Sequence, residues 1–194
     1  VISANAFDLA TSVATIAFPK TLVNVKGSAL DVTAWFKAQP AGAVYAGTVL
    51  YKVTGALPQL QITAGTTSIA DNAVKNETVK AVTIPKSVTY IGAFSFADSS
   101  IATLVIPDSV TKIDNAAFQN MALLKKVTLS NVLETLGKSA FKSCASLQTI
   151  TIPATLKNIP VDAFANCVEL ATVQFGSVET IGKYAFSGCE KLIV

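Results

Sequence analysis

Three cysteines recur at a regular spacing, and they are the first residues whose type and position could do chemistry. Cys144, Cys167 and Cys189 lie 23 and 22 residues apart. A zinc or redox site needs ligands that converge, usually as a Cys-x-x-Cys pair or with a partner histidine, and the chain has neither. Met121 and Ser99 take the same position in other copies of the surrounding sequence. The pattern favours a row of reduced core side chains, and a disulfide between adjacent copies stays the open alternative.

The groups that an enzyme needs for acid–base or nucleophilic chemistry are scarce. The chain contains no histidine, which removes the commonest general base and any Ser-His or Cys-His pair. Ser139-Ala-Phe-Lys142 matches a Ser-x-x-Lys motif, but neither Ser-Asp-Asn nor Lys-Thr-Gly accompanies it. The scattered carboxylates fall at turn starts, where capping explains them better than calcium binding does: Asp71, Asp114 and Asp162. We therefore predict a protein that is not an enzyme and has no cofactor or metal.

A hydrophobic pattern runs along the whole chain and sets the elements that would position any site. An aliphatic anchor is followed five residues later by Phe, and the clearest copies, spaced 22, 23, 23 and 22 residues apart, begin at Ile91, Ile113, Leu136, Ile159 and Ile181. Such a period predicts a solenoid, in which each coil packs on its neighbours. Extending the pattern gives nine repeats of 21–23 residues, with four further anchors at Ile2, Val25, Ala46 and Ile69.

Each repeat predicts a strand, a second extended segment and a turn. Segments such as Ile150-Thr-Ile-Pro153 alternate and are β-branched, which is typical of a strand that proline ends. The Ala-Phe segment should form a helical turn or a short 3₁₀ piece. A short polar residue often lies three positions after the anchor, where it could cap that turn: Asn5, Ser28, Asn72, Ser139 and Asp162. Stacked coils should place Phe over Phe.

The full unit, Leu-x-x-Val-x-Ile-Pro-x-Ser-Val-x-x-Ile-Gly-x-x-Ala-Phe-x-x-Cys, resembles the BspA-like class of leucine-rich repeats. The match is strongest over residues 96–194, and residues 1–60 match only after adjustment. The resemblance implies an α/β leucine-rich-repeat solenoid, a curved right-handed stack with short parallel strands on one face and helical turns on the other. It also implies a secreted or cell-surface protein, since some relatives adhere to host matrix proteins. No catalytic residues come with the family.

We expect residues 1–194 to form a single leucine-rich-repeat solenoid, with degenerate repeats in 1–60 and regular ones in 61–194. The chain begins at Val1 without Met and stops before the next strand of the pattern, so we expect a fragment of a longer protein. Charged residues make up only 14%, against about 25% in ordinary soluble domains. The net charge of +3 without a basic cluster gives little support for nucleic-acid binding.

Two further features of the sequence bear on whether the protein spans a membrane or is secreted. The longest weakly polar stretch, residues 41–51, is shorter than the roughly 20 apolar residues of a membrane span. Asn76-Glu77-Thr78 is a glycosylation sequon, which matters only if a eukaryote secretes the protein.

The outward positions of successive strands are the best candidates for a partner-binding surface. They form two rows. One is Thr83, Val105, Thr128, Thr151 and Gln174; the other is Thr103, Lys126, Thr149 and Thr172, preceded by Ala81. Solenoids commonly bind ligands on such faces, so we predict that these rows bind a protein or glycan, with host extracellular matrix among the candidates. A solvated strand face without a partner is the simpler reading, and a spacer for a functional domain elsewhere is the alternative role.

Overall fold

The computed structural model of the chain describes residues 1–75 and 79–193. Within these residues, short strands are joined by turns, with one four-residue helix, α1 (Ala34–Lys37). The strands, in chain order, are β1 (Gly42–Ala46), β2 (Val49–Thr54), β3 (Gln59–Gln61), β4 (Ser68–Ile69), β5 (Ala81–Thr83), β6 (Tyr90–Ile91), β7 (Thr103–Val105), β8 (Lys112–Ile113), β9 (Lys126–Thr128), β10 (Thr135–Leu136), β11 (Thr149–Thr151), β12 (Asn158–Ile159), β13 (Thr172–Gln174) and β14 (Thr180–Ile181). Each regular coil thus contributes one three-residue strand and one two-residue strand.

The three-residue strands stack in parallel along one side of the molecule. β7, β9, β11 and β13 form one sheet, and β3 pairs with β5. The register sets Leu104 beside Val127 and Ile150 beside Val173, so the middle residues of the strands form an aliphatic row. Because side chains alternate across a strand, both flanking residues of each strand face outwards.

The two-residue strands form a second parallel ladder that carries the repeat anchors. Consecutive anchors pair in register: Leu50, Ile69, Ile91, Ile113 and Leu136. Five phenylalanine rings also stack, with centroid separations of 5.5, 4.9, 5.5 and 5.3 Å and interplanar angles of 2–16°: Phe96, Phe118, Phe141, Phe164 and Phe186. The predicted parallel-stranded solenoid with Phe over Phe is therefore confirmed, and it makes about six turns.

The predicted helical or 3₁₀ turns after the anchors are not found in the described residues, and the α/β description is corrected to a β-solenoid with almost no helix. These turns contain left-handed residues, such as Ser139 at φ +57° and Asp162 at φ +56°, which interrupt any helical run. Their amides also bond to the next coil rather than within a helix. Phe118 N donates to Ala140 O at 2.8 Å, and Phe141 N donates to Ala163 O at 2.8 Å.

The short polar residues three positions after the anchors have a different role from the predicted capping. Asn5, Asn72, Ser139 and Asp162 adopt positive φ, a conformation that short polar side chains tolerate better than bulky ones do. At Ser28 the expectation fails, because the left-handed residue there is the preceding Gly27. The recurrence of short polar residues at this position therefore reflects a left-handed backbone conformation and not helix capping.

The anchor predicted at Ala46 is wrong. Leu50 is the residue that pairs with Ile69, whereas Ala46 pairs with Val49 in an antiparallel hairpin formed by β1 and β2. A two-residue connection closes this hairpin, and its first residue, Gly47, has φ +64°, as tight hairpin turns require. The hairpin and α1 interrupt the pattern after the bridge between Ile2 and Val25. Nine regular repeats are therefore not confirmed.

The three cysteines are free thiols that lie in one column of the stack. Each Sγ donates to the carbonyl oxygen of a phenylalanine in the preceding coil: Cys144 to Phe118 at 3.2 Å, Cys167 to Phe141 at 3.1 Å and Cys189 to Phe164 at 3.2 Å. Burial raises the pKa of the Cys144 thiol well above its ordinary value, and it raises that of Cys189 to about 11. Both thiols are therefore protonated at neutral pH and act as small core side chains.

Residues 1–75 and 79–193 contain neither a membrane-spanning helix nor a cluster of metal ligands. No helix in that part of the chain has the length and apolar character that a membrane span needs. In the same residues, no three His, Cys, Asp or Glu side chains lie close enough together to hold a metal ion. The sequon Asn76-Glu77-Thr78 lies outside the described residues.

Candidate ligand-binding face

The outward side chains of the three-residue strands form a continuous surface, which we call the strand face. It comprises the first and third residues of β3, β5, β7, β9, β11 and β13. The structure exposes all nine residues predicted for the two rows: Thr83, Val105, Thr128, Thr151, Gln174, Thr103, Lys126, Thr149 and Thr172. The prediction that they point outwards is confirmed. Their binding of a partner stays a prediction.

Strand pairing aligns the rows across neighbouring coils. Thr103 lies beside Lys126 and Val105 beside Thr128. Neighbouring strands lie about 4.8 Å apart. Within one row, Thr151 Oγ1 donates to Gln174 Oε1 at 2.9 Å. The face therefore presents hydroxyl groups at regular intervals, and the backbone ladder beneath holds them in place.

Among the grooves that cross this face in the described residues, two adjoin each other over β7, β9 and β11. The smaller, of about 290 Å³, lies over β9 and β11 and includes Lys126 and Thr151 in its lining. The larger, of about 620 Å³, includes Lys86, Val105 and Asp108. Thr128 and Asn131 line both grooves, which makes the two continuous.

The loop residues Lys86, Asp108 and Asn131 were missed by the sequence reasoning. All three occupy the same repeat position, three residues after the last residue of β5, β7 and β9 respectively. Alignment of the repeats past the proline would have revealed this third outward column. Pro85 and Pro107 follow β5 and β7 and end those strands, because proline has no N–H to donate to the ladder. Ser130 takes the same position after β9.

Asp108 and Asn131 fix the loop side of the larger groove. The backbone N–H of Asn131 donates to Asp108 Oδ1 at 2.8 Å, and its Nδ2 donates to Oδ2 at 3.2 Å. Both carboxylate oxygens therefore already have a donor. Among the residues lining the two grooves, Asp108 is the acidic one, while Lys86 and Lys126 are basic. Within the described residues, neither lysine forms an ion pair, and the ion pairs found lie elsewhere.

A polar network on the second ladder holds other carboxylates that the sequence singled out. Asn24 Nδ2 donates to Asp71 Oδ1 at 2.9 Å, and the Tyr90 hydroxyl donates to Asp114 Oδ2 at 2.7 Å. Burial opposes ionisation of Asp114, but the hydrogen bonds from Tyr90 and Asn115 N, with the charge of Lys112, outweigh it and hold the pKa of Asp114 below its ordinary value. The network joins an N-terminal coil to the regular stack.

The Ser-x-x-Lys motif has no arrangement for nucleophilic catalysis. Lys142 Nζ lies 3.3 Å from Asp162 Oδ2, so the lysine side chain forms an ion pair with the next coil. A lysine that activates a nucleophile would instead need to reach the serine hydroxyl. Ser139 occupies a left-handed turn position with φ +57°. Both residues therefore serve the fold of the turn.

Stacked coils with two parallel strand ladders and an open strand face define the class of leucine-rich-repeat solenoids. Within that class, the chain belongs to the family of the BspA type leucine-rich repeat region, whose profile matches six copies over residues 56–193. The resemblance inferred from the motif is thus confirmed.

A solved leucine-rich-repeat structure shares the fold of this chain. The leucine-rich repeat protein TpLRR of T. pallidum is similar at 21% identity with a TM-score of 0.60, over 75% of this chain and 82% of that one. A leucine-rich cell surface protein of Faecalibacterium prausnitzii A2-165 has 22% identity and a TM-score of 0.44, over 71% of this chain and 59% of that one. A leucine-rich repeat protein of Bacteroides ovatus has 18% identity and a TM-score of 0.43, over 92% and 65%. No curated protein matches this sequence.

Proposed function

We propose that this chain is a non-enzymatic module that binds a protein or glycan through its strand face. The observation that carries the proposal is the continuous groove across neighbouring coils, which joins the strand rows to the loop residues Lys86 and Asn131. A surface of this kind presents many weak polar contacts at fixed spacing. Affinity then comes from their number and alignment, because a preorganised surface loses little entropy on binding.

The character of the other polar groups supports a binding role over catalysis. The lysine of the Ser-x-x-Lys motif is paired with Asp162, and Asp71 and Asp114 accept hydrogen bonds that serve the fold. Membership of a repeat family adds support, since solenoids present extended surfaces for binding.

We further propose that the module belongs to a secreted or cell-surface protein, and that adhesion to host extracellular matrix is among its roles. The family resemblance supports this location. The hydroxyl-rich strand face, with Thr103, Thr128, Thr149, Thr151 and Thr172 exposed, also suits contact with a hydrated macromolecule.

Blocking the face without changing its charge tests the proposal. Thr128→Tyr and Thr151→Tyr together place two bulky side chains across the grooves, and tyrosine is compatible with a strand. A panel of purified matrix proteins and glycans is measured by surface plasmon resonance. We expect the double variant to lose at least about tenfold in affinity for any ligand of the wild type.

The matched control carries the same change on the other ladder, where Thr135→Tyr and Asn158→Tyr also alter two exposed residues in neighbouring strands. Circular dichroism confirms that both variants are folded. Unchanged binding by the strand-face variant, or an equal loss in the control, would refute the strand face as the site.

The alternative role is a spacer that presents a functional domain elsewhere. One observation supports it: the buried residues from Leu22 to Ala185 form a single hydrophobic cluster, so the coils are packed together as one body. We propose on this basis that residues 1–194 form a single curved, right-handed solenoid whose first 60 residues are irregular. A full-length protein whose binding resides entirely in another domain would favour the spacer.

A further inference from the structure

We infer that the strand face takes an extended, acidic segment of a partner protein, with Lys86 and Lys126 binding its carboxylates and Val105 its apolar contact. This inference rests on the proposed function and deepens it, because it names the chemical class of the ligand.

The charge of the grooves supports an anionic ligand. Lys86 lines the larger groove and Lys126 the smaller, and neither is engaged in an ion pair within the described residues. Asp108 is the acidic residue in these linings, and both of its oxygens already accept hydrogen bonds from Asn131. Two lysines without an ion-pair partner among the described residues therefore face the ligand beside a single carboxylate, each of whose oxygens accepts a hydrogen bond from Asn131. Complementary charge of this kind speeds association and selects the partner.

The apolar part of the groove supports a peptide. Val105 is 66% exposed, although it stands in a row of polar residues. Ile84 and Pro107 line the same groove beside it. Among the described residues that line the two grooves, none is aromatic, so the flat ring on which a sugar stacks is missing. Apolar and acidic side chains on one ligand are a property of protein segments.

The geometry of the stack fits an extended chain. Lys86 belongs to the coil of β5 and Lys126 to that of β9, with β7 between them. Two strand spacings correspond to about 10 Å along the stack. Lys126 is the first residue of its strand, whereas Lys86 lies in the loop past the end of its strand, and the length of a three-residue strand adds about 7 Å across the face. Val105, the last residue of β7, lies between them on this diagonal. An extended segment that crosses the face diagonally, with at least about four residues from one acidic position to the next and an apolar residue between them, therefore meets all three groups.

Selection from a random-peptide phage library tests the inference. The library is panned on the wild type, on Lys86→Glu/Lys126→Glu, and on the control Lys138→Glu/Lys183→Glu, which changes two exposed lysines outside the grooves by the same charge. We expect the wild type and the control to enrich peptides containing Asp or Glu. We expect the groove variant to lose them. A selected acidic peptide should bind the groove variant at least about tenfold more weakly, and wild-type binding should weaken as salt is raised.

Four outcomes would overturn the inference. First, the enriched peptides are neutral or basic. Second, acidic peptides bind the groove variant with the same affinity as they bind the wild type. In both cases the proposed function survives if Thr128→Tyr/Thr151→Tyr still abolishes binding. Third, heparin oligosaccharides could bind the groove while no peptide is selected, which would identify the ligand as an anionic glycan. If no probe binds the strand face at all, the proposed function fails as well.

Discussion

Replacing Phe141 by alanine removes the middle ring of the aromatic stack. Phe141 is fully buried, and its ring lies between those of Phe118, at 4.9 Å, and Phe164, at 5.5 Å. Both neighbouring rings are nearly parallel to it, with interplanar angles of 13° and 2°. The substitution therefore opens a cavity in the centre of the core and breaks two ring contacts at once.

The expected loss in the free energy of unfolding is large. Truncating a buried Phe to Ala typically costs about 3–5 kcal/mol, since the lost transfer energy adds to that of the cavity. Two broken aromatic contacts place Phe141→Ala in the upper part of that range. The coils on both sides are held by their own hydrogen bonds, so the site can collapse only partly.

Urea unfolding followed by far-ultraviolet circular dichroism measures the effect. Thr151→Ser is the first control, because Thr151 is exposed and serine keeps its hydroxyl, so it should cost under about 0.5 kcal/mol. Phe186→Ala is the second control. Phe186 is only partly buried and stacks on one ring of this column, Phe164. Its truncation should cost clearly less than that of Phe141.

Two results would refute this reasoning. Equal losses for Phe141→Ala and Thr151→Ser would mean that the inner and outer faces of the coils are inverted. A loss at Phe186 as large as that at Phe141 would mean that stability does not come from stacking between neighbouring coils.

Three other perturbations have expected outcomes. Ser95 is fully buried, and its hydroxyl has no partner among the described residues. Ser95→Ala should therefore raise stability by about 1 kcal/mol in urea unfolding, and a loss of stability would contradict this. The lowered pKa of Asp114 predicts stability that is complete above about pH 5 and falls as acid protonates the folded carboxylate. Asp114→Asn should reduce the loss of stability at acidic pH. An unchanged profile would contradict a stabilising role for the hydrogen bonds to the Asp114 carboxylate. Iodoacetamide at pH 7.5 should modify Cys144 only on unfolding, and rapid modification of the native thiol would contradict its burial.

The regular part of the fold could be predicted because the same buried positions recur in every coil. Ile113 and Phe118 must each meet an equivalent residue above and below, which leaves a strict hydrophobic period in the sequence. Ala46 broke this reasoning, because an aliphatic residue at about the right spacing also fits the hairpin of β1 and β2. Spacing alone could not separate the two, although Gly47 gave the turn signal.

The turns and the loop side of the grooves were harder to predict, for different physical reasons. A short polar residue such as Ser139 suits both a helix cap and a left-handed turn, so its type does not decide the conformation. Lys86, Asp108 and Asn131 differ in chemistry although they share one repeat position. Because their side chains face solvent, packing imposes no common residue type at this position. A search for residue types that recur with the repeat period therefore does not find them.

Nuclear magnetic resonance locates the ligand-binding surface residue by residue. The ¹⁵N-labelled chain is titrated with the tightest ligand from the matrix, glycan and peptide panels, and amide shift changes are mapped onto the coils. We expect the changes to concentrate in residues 84–86, 103–109, 126–131 and 149–153, around the grooves of the strand face. Changes confined to the second ladder, at residues 112–113, 135–136 and 158–159, would contradict it.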